Sequence, residues 1–451
     1  MTARESDLES DRFDVDDVTP VTSADGSDTA VVDDVLDLLL HDGRELPHAL
    51  RMLVPEAWRG RDVDEDRKAW YDFHASLVEP WDGPALVVAT DGERVGAVLD
   101  RNGLRPCRYD VTTDGRLVMA SEAGALDTEP CDIDERGRLE PGQLFLADPD
   151  EGRIVPDEEV FADLTDAKYA EWVDQEQVHL DDVAGDEPLA SAGDVDELRA
   201  HQTVYGYSRD ELDEMLEPMA TDGKDPVGSM GDDTPLSVLS EFNRPLFSYF
   251  KQLFAQVTNP PLDYIREELV TSMETRLGPQ RNLLDESPAH ARQLVADSPV
   301  LTDAETAAVR GLDGDGADLR SETVDITYDP ATSLEDAVER VRADARAAVE
   351  DGADVVVLSD RATDDDRVPV PSLLATGAVH HDLVRRGLRA RTGLVVESGD
   401  PRTVHHVATL VGYGAGAVNP YLAYQSIADV VAGPDGADED EALAAYVKAL
   451  E

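Results

Sequence analysis

The chain has 451 residues, 41% hydrophobic and 5% aromatic, with 39 basic against 98 acidic residues and a net charge of −59. This length implies more than one domain, and the acidity excludes nucleic acid and anionic membrane as partners, because phosphate recognition needs clustered Lys and Arg. Two cysteines, Cys107 and Cys131, are too few for a disulfide framework, a zinc site or an iron–sulfur cluster. No apolar run reaches the ~20 residues that span a bilayer. The polar start MTARESDLESDRFDVDD is no signal peptide, so a cytoplasmic protein is expected. The acids alternate with periodic apolar residues, which argues for folded domains over disorder. A haloarchaeal-like, salt-rich cytoplasm accounts for the charge: at about 1 M salt the Debye length falls to ~3 Å and screens the self-repulsion.

Residues 1–20 lack apolar periodicity and are expected to be disordered. From Thr29, the residues Val31, Val32, Val35, Leu36 and Leu38 to Leu40 suit a buried helix capped by Asp28 or Thr29 and stopped near Gly43. Strand-like runs follow at 85–89, 95–100, 105–111, 117–120 and 143–148. The turn signals Asp91-Gly92, Asn102-Gly103, Asp114-Gly115 and Pro141-Gly142 separate them, which predicts an antiparallel sheet with hairpins. Helical sequence spans 157–172, and 181–197 reads as a linker. From 324 onward strands at 324–328, 354–358 and 392–397 alternate with helices at 334–350, 372–386 and 402–411, the pattern of parallel β/α units. The tail beyond Gly433 is acidic again, and no internal repeat is present.

Leu99-Asp100-Arg101-Asn102-Gly103-Leu104-Arg105-Pro106, with Ala120-Ser121-Glu122 downstream, resembles the glutaminase domain of class II glutamine amidotransferases. These residues are expected to shape the fold rather than to react. Longer phrases resemble the glutamate synthase large subunit: Leu46-Pro47-His48-Ala49 through Val54-Pro55-Glu56-Ala57-Trp58, His74 through Pro84, Gly228 through Leu236, Tyr249 through Pro261, and Val411 through Tyr421. The resemblance implies an α+β and α/β multidomain chain. A partial Ntn-type αββα glutaminase sheet precedes an α/β central domain with parallel β/α units. The implied layout is an acidic disordered head over 1–20 and the C-terminal part of the amidotransferase domain over 21–180. A linker over 181–197, the central domain over 198–432 and an acidic tail over 433–451 complete it.

The family enzyme frees ammonia from glutamine, passes it through an internal tunnel, and combines it with 2-oxoglutarate and reduced FMN to give glutamate. The resemblance implies a nucleophilic cysteine as first residue of the mature chain, its own α-amine acting as base, and an oxyanion hole from an Asn and a Gly. Here the chain opens Met1-Thr2-Ala3-Arg4, and Cys107 and Cys131 read as small packed thiols. No catalytic residue is therefore assigned. FMN and the iron–sulfur cluster are expected in other parts of the enzyme, with no cofactor and no metal in this chain. The expected partners are those glutaminase and FMN parts and the glutamate synthase small subunit, with NADPH, NADH or ferredoxin as electron donor. A component or fragment inactive alone is one expectation. A non-catalytic scaffold that conducts ammonia is the other. The strip 254–261 reads either as the lining of an ammonia path or as a helix end stopped by Pro260-Pro261.

The phrase Gly26-Ser27-Asp28-Thr29 matches a family segment whose aspartate holds the α-amino group of glutamine. Asp28 is therefore a candidate glutamine-binding residue, a carboxylate facing an ammonium. Capping of the following helix is the equal alternative. His48 and His74, set among apolar and aromatic residues, are expected to pack in the core. The pairs His380-His381 and His405-His406 diverge and are not expected to bind metal. The Gly412-x-Gly414-x-Gly416 run follows a helix, so it is no dinucleotide loop.

Overall fold

The computed structural model describes residues 1–23, 25–59, 63–81, 83–185, 195–227, 235, 238–241, 244–251, 272–312, 319–432 and 438–451. Two compact units divide the chain. The first holds Met1–Glu176 and takes in Arg281–Ala291; the second holds most of the remainder to Glu451.

In the first unit three helices precede two sheets. Helix α1 (Asp28–His41) is capped by Ser27, whose hydroxyl accepts from the Ala30 amide, so neither Asp28 nor Thr29 is the cap. Ser has the short acceptor the position favours, and Asp28 becomes the first helical residue. Helices α2 (Leu46–Leu53) and α3 (Glu65–Leu77) follow. Strands β1 (Leu86–Thr90) and β2 (Val95–Leu99) pair antiparallel, and β3 (Arg108–Thr112) pairs with β4 (Leu117–Ala120) and β5 (Ile133–Arg138). β6 (Leu144–Asp148) and β7 (Arg153–Val155) complete a sheet of order β1-β2-β6-β7, separate from β4-β3-β5. The single sheet expected from the hairpins is thus two. Helices α4 (Asp157–Leu164) and α5 (Ala167–Glu176) split the predicted helix at 157–172, with Thr165 extended between them.

The core of this unit gathers Leu39, Leu46, Leu50, Trp70, Phe73 and Leu77, all at most 1% exposed. Each such side chain contributes about 1.5–3 kcal/mol on burial. Gly96 lets α2 lie on β2, since a Cβ there would stand 2.5 Å from Leu50 Cδ1. The acidic head is not loose: Leu8 joins this core, Arg4 donates to the Leu77 carbonyl, and Glu5 accepts from the Val21 amide at 2.8 Å. One buried leucine and one buried arginine are too few to register as periodicity.

The second unit is built on a four-stranded parallel sheet of order β11-β13-β15-β16. Three short strands precede it: β8 (Val178–His179), β9 (Thr275–Leu277) and β10 (Leu294–Ala296), and β11 is Ser321–Asp325. β12 (Thr327–Tyr328) pairs with β14 (Val368–Pro369), while β13 (Val355–Ser359), β15 (Gly393–Glu397) and β16 (Ala417–Asn419) extend the parallel sheet. β13 and β15 are buried along their whole length, as parallel central strands require. The helices of eight or more residues are α6 (Val195–Val204), α7 (Asp303–Arg310), α8 (Leu334–Glu350), α9 (Ser372–Arg385), α10 (Val404–Gly412), α11 (Tyr421–Val431) and α12 (Glu439–Leu450). α8 turns Ala337, Val341, Ala345 and Ala348 inward, a stripe at helical spacing. The acidic tail is helix α12 from Glu439 on, capped by Asp438, with Leu443 and Tyr446 fully buried. The expected linker lies outside the described residues over 186–194 and is helical from Val195. The strip 254–261 also lies outside them.

Candidate functional site

Asp28 is exposed at the first turn of α1 and lines a cavity of about 380 Å3. Val32, Leu53 and Trp81 form its apolar wall, and Arg4 lines it too, its guanidinium 3.2 Å from Glu79. With Ser27 doing the capping, the Asp28 carboxylate is left to the helix dipole and to whatever enters the cavity. An aspartate at a cavity with apolar walls can take an ammonium.

The Asp100 turn is structural. Its carboxylate, 1% exposed as a residue, accepts from the amides of Ala85, Asn102 and Gly103 at 3.1, 2.9 and 3.1 Å. Gly103 has φ +60, and a Cβ there would strike Pro141, so the D-x-x-G turn needs its glycine. The V-P-E-A-W phrase also serves the fold. Glu56 accepts from Tyr71 Oη at 3.1 Å and pairs with Arg67, and Trp58 stacks on Tyr71 and donates to Asp72 at 3.0 Å.

His48 and His74 are packed as expected, but they belong to a charged knot that their own sequence does not announce. His74 Nδ1 donates to the Trp70 carbonyl at 2.7 Å, and its Nε2 lies 2.7 Å from His48 Nε2. Both rings stand 3.5 Å from Glu286 Oε1. Arg44 donates to Glu286 at 2.5 Å, Tyr169 at 2.8 Å, and Lys168 at 3.3 Å. Burial lowers both histidines and keeps them neutral. Although Glu286 is itself buried, the donors and positive charge around it, Arg44 foremost, hold it well below the usual carboxylate range.

The two imidazoles and Glu286 resemble a metal ligand set. The fit fails on two points. Tetrahedral zinc with bonds of 2.0–2.1 Å holds nitrogens about 3.3 Å apart, whereas the Nε2 atoms are at 2.7 Å. Arg44 already supplies the cation on the same Glu286 oxygen. The cluster is a hydrogen-bonded lock that ties 281–291 to helices α2, α3 and α5. Glu286 lies too far along the chain, in a stretch without apolar periodicity, to be linked to His74 by spacing.

In the second unit the four parallel strands end in a polar row, Asp325, Ser359, Glu397 and Asn419, paired in register across the sheet. Glu397 accepts from Ser359 Oγ at 2.6 Å and Arg361 Nε at 2.8 Å, and pairs with Arg310. Arg361 reaches Asp303 at 2.6 Å, and Asn419 donates to the same Asp303 at 3.0 Å. Beside this row Asp360 is fully buried, accepting from Ser398 Oγ and the Gly399 amide. Burial raises its carboxyl to about 6, against the hydrogen bonds that lower it. The signal for these residues was present in the sequence: the runs ending Leu358-Ser359-Asp360, Val396-Glu397-Ser398 and Val418-Asn419 each turn polar where open α/β sheets bind ligands.

Neither thiol is set up as a nucleophile. Cys107 is 2% exposed and burial pushes it up; Cys131 is exposed, with Asp132 as its contact at 3.7 Å. The diverging pairs also have separate surroundings: His380 faces Arg389, and His406 stacks on Phe247.

The fold and the ordered motifs define a class II amidotransferase region followed by a second α/β region. The family model for glutamine amidotransferases class-II matches residues 1–172, and that for the glutamate synthase central domain matches residues 200–451. The chain belongs to the glutamate synthase family. It is 40% identical to a glutamate synthase [NADPH] large chain of Bacillus subtilis, over 100% of this chain and 30% of that protein. It is also 40% identical to a glutamate synthase [NADH] of Schizosaccharomyces pombe, over 100% of this chain and 22% of that one. A ferredoxin-dependent glutamate synthase 2 of Synechocystis is 40% identical over 95% of this chain and 28% of its own length. The chain thus spans less than a third of these relatives.

Proposed function

We propose that these 451 residues form the glutamine-binding and central part of a glutamate synthase, which makes glutamate from glutamine and 2-oxoglutarate. The observation that carries the reading is the ordered match of both family regions along one chain. Asp28, left uncommitted by the Ser27 cap, holds the substrate ammonium. The residues alone do not hydrolyse glutamine, since neither Cys107 nor Cys131 is activated by a base. Two cysteines cannot furnish the three or four thiolates of an iron–sulfur cluster. The cluster, and the flavin that supplies reducing equivalents when bound, belong to other parts of the enzyme.

The test is complementation. The chain is mixed with a glutaminase segment that begins with cysteine, an FMN-bearing segment, 2-oxoglutarate and a reductant of the flavin, and the glutamine-dependent formation of glutamate from 2-oxoglutarate is measured. Glutamate should form from 2-oxoglutarate only with all three polypeptides. Asp28→Asn should then lower kcat/KM for glutamine about 10- to 150-fold, the loss of a hydrogen bond to a charged group. Glutamine turnover by the chain alone would contradict the reading. So would an assembled complex that makes no glutamate.

A further inference from the structure

The second unit holds a cavity of about 560 Å3, within the 300–1,000 Å3 usual for small-molecule sites. Its lining includes Tyr328 of β12, Val368 and Pro369 of β14 and Asp400 in the turn that follows β15, and open α/β sheets take ligands beyond the carboxyl ends of their strands. Tyr205, Tyr328, Pro369 and Pro371 wall it, and three charged groups, Asp400, Glu241 and Arg244, line it.

Asp400 accepts from the Ser372 hydroxyl at 3.0 Å, at the first residue of α9. Among the described residues no cation forms an ion pair with its carboxylate. Arg402 donates to the Asp400 carbonyl at 3.0 Å and forms its ion pair with Glu211. Burial raises the Asp400 carboxyl, against the charge of Arg402 and the hydrogen bond from Ser372, which lower it. Arg244 is half-buried and has no hydrogen bond or ion pair among the described residues. Glu241, on the exposed rim, does not pair with it. Arg244 and Asp400 therefore share one cavity without an ion pair between them, with Glu241 a second carboxylate in its lining.

We propose that this cavity binds a small zwitterion of the amino-acid class, its ammonium on Asp400 and its carboxylate on Arg244. A ligand with both charges completes both groups at once, while the tyrosine and proline walls accept an aliphatic side chain. A lone anion or a lone cation would leave the other wall unsatisfied. The site is independent of the glutamine site proposed at Asp28, which lies in the other unit.

The experiment is calorimetric titration of the full chain with L-leucine and L-alanine, alongside isoamylamine and isocaproate as the single-charge counterparts of leucine. Saturable binding of an amino acid is expected, with the amine and the acid at least about tenfold weaker. Asp400→Asn, which keeps an acceptor for Ser372, and Arg244→Gln should each weaken binding about 10- to 150-fold. Arg244 makes no bond to the rest of the described fold, so its variant keeps the test valid should the Asp400 variant unfold. The proposal is overturned if neither amino acid binds, if either single-charge ligand binds as well as leucine, or if Arg244→Gln binds as the parent does.

Discussion

The two units bury carboxylates by opposite means. In the first, Glu286 sits among Arg44, Lys168, Tyr169 and two imidazoles, and this company keeps it ionised. In the second, Asp360 is buried among hydroxyls and a backbone amide with no ion pair among the described residues, and it is raised to about 6. Glu286 stays charged because removing its neighbours' positive charge from it would cost more than desolvation does. For Asp360 desolvation wins, because hydroxyl and amide donors offset only part of it. In a chain with a net charge of −59, burial of an acid is thus either matched by scarce cations or tolerated by partial neutralisation.

The largest expected effect breaks the first arrangement. Glu286→Gln leaves Arg44 and Lys168 facing a neutral amide and should cost about 3–5 kcal/mol, the range for removing one partner of a buried pair. Urea unfolding at neutral pH checks it. A loss below about 1 kcal/mol, the scale of an exposed pair, would mean that the knot is solvated. The next effect concerns Asp360, whose carboxyl rises from 3.8 to about 6 on folding. A raised carboxyl stabilises the fold at low pH and loses that contribution as pH climbs through about 6. At about 1.36 kcal/mol per unit the parent should lose up to about 3 kcal/mol between about pH 4 and 8 that Asp360→Asn does not lose. The smallest effect separates buried from surface charge. Molar KCl should raise the melting temperature of the parent, because surface repulsion is screened. The gap between parent and Glu286→Gln should change by less than about 1 kcal/mol, because buried pairs are screened little. A gap that closes in salt would place Glu286 effectively at the surface.

How much of this was legible depended on sequence distance. The helix at 334–350 and the strands around 355–359 and 393–397 were readable, because apolar periodicity and continuous buried runs are local signals. β5 and β7 were not, since Ile133–Arg138 is mostly exposed and charged and Arg153–Val155 is only three residues long. The acidic head and tail read as loose because charge dominated their composition, while the burial of Leu8, Leu443 and Tyr446 decided their structure. Asp28 was found through its motif, yet only the coordinates assign the cap to Ser27. Glu286 depends on a return of 281–291 to the first unit, a long-range contact that no local pattern encodes.

The contrast between the two carboxylates is tested most directly by unfolding free energies of the parent, Glu286→Gln and Asp360→Asn across a pH series. Glu286 is depressed and His48 and His74 are held neutral. The contribution of Glu286 is therefore present at neutral pH and lost on acidification as the unfolded glutamate protonates below about 4.3, whereas the two histidines are present in parent and variant alike. The account predicts that the advantage of the parent over Glu286→Gln shrinks as pH falls below about 4.3, while its standing against Asp360→Asn improves as pH falls below about 6. Two differences that stay flat with pH, or that move in the same direction, would contradict it.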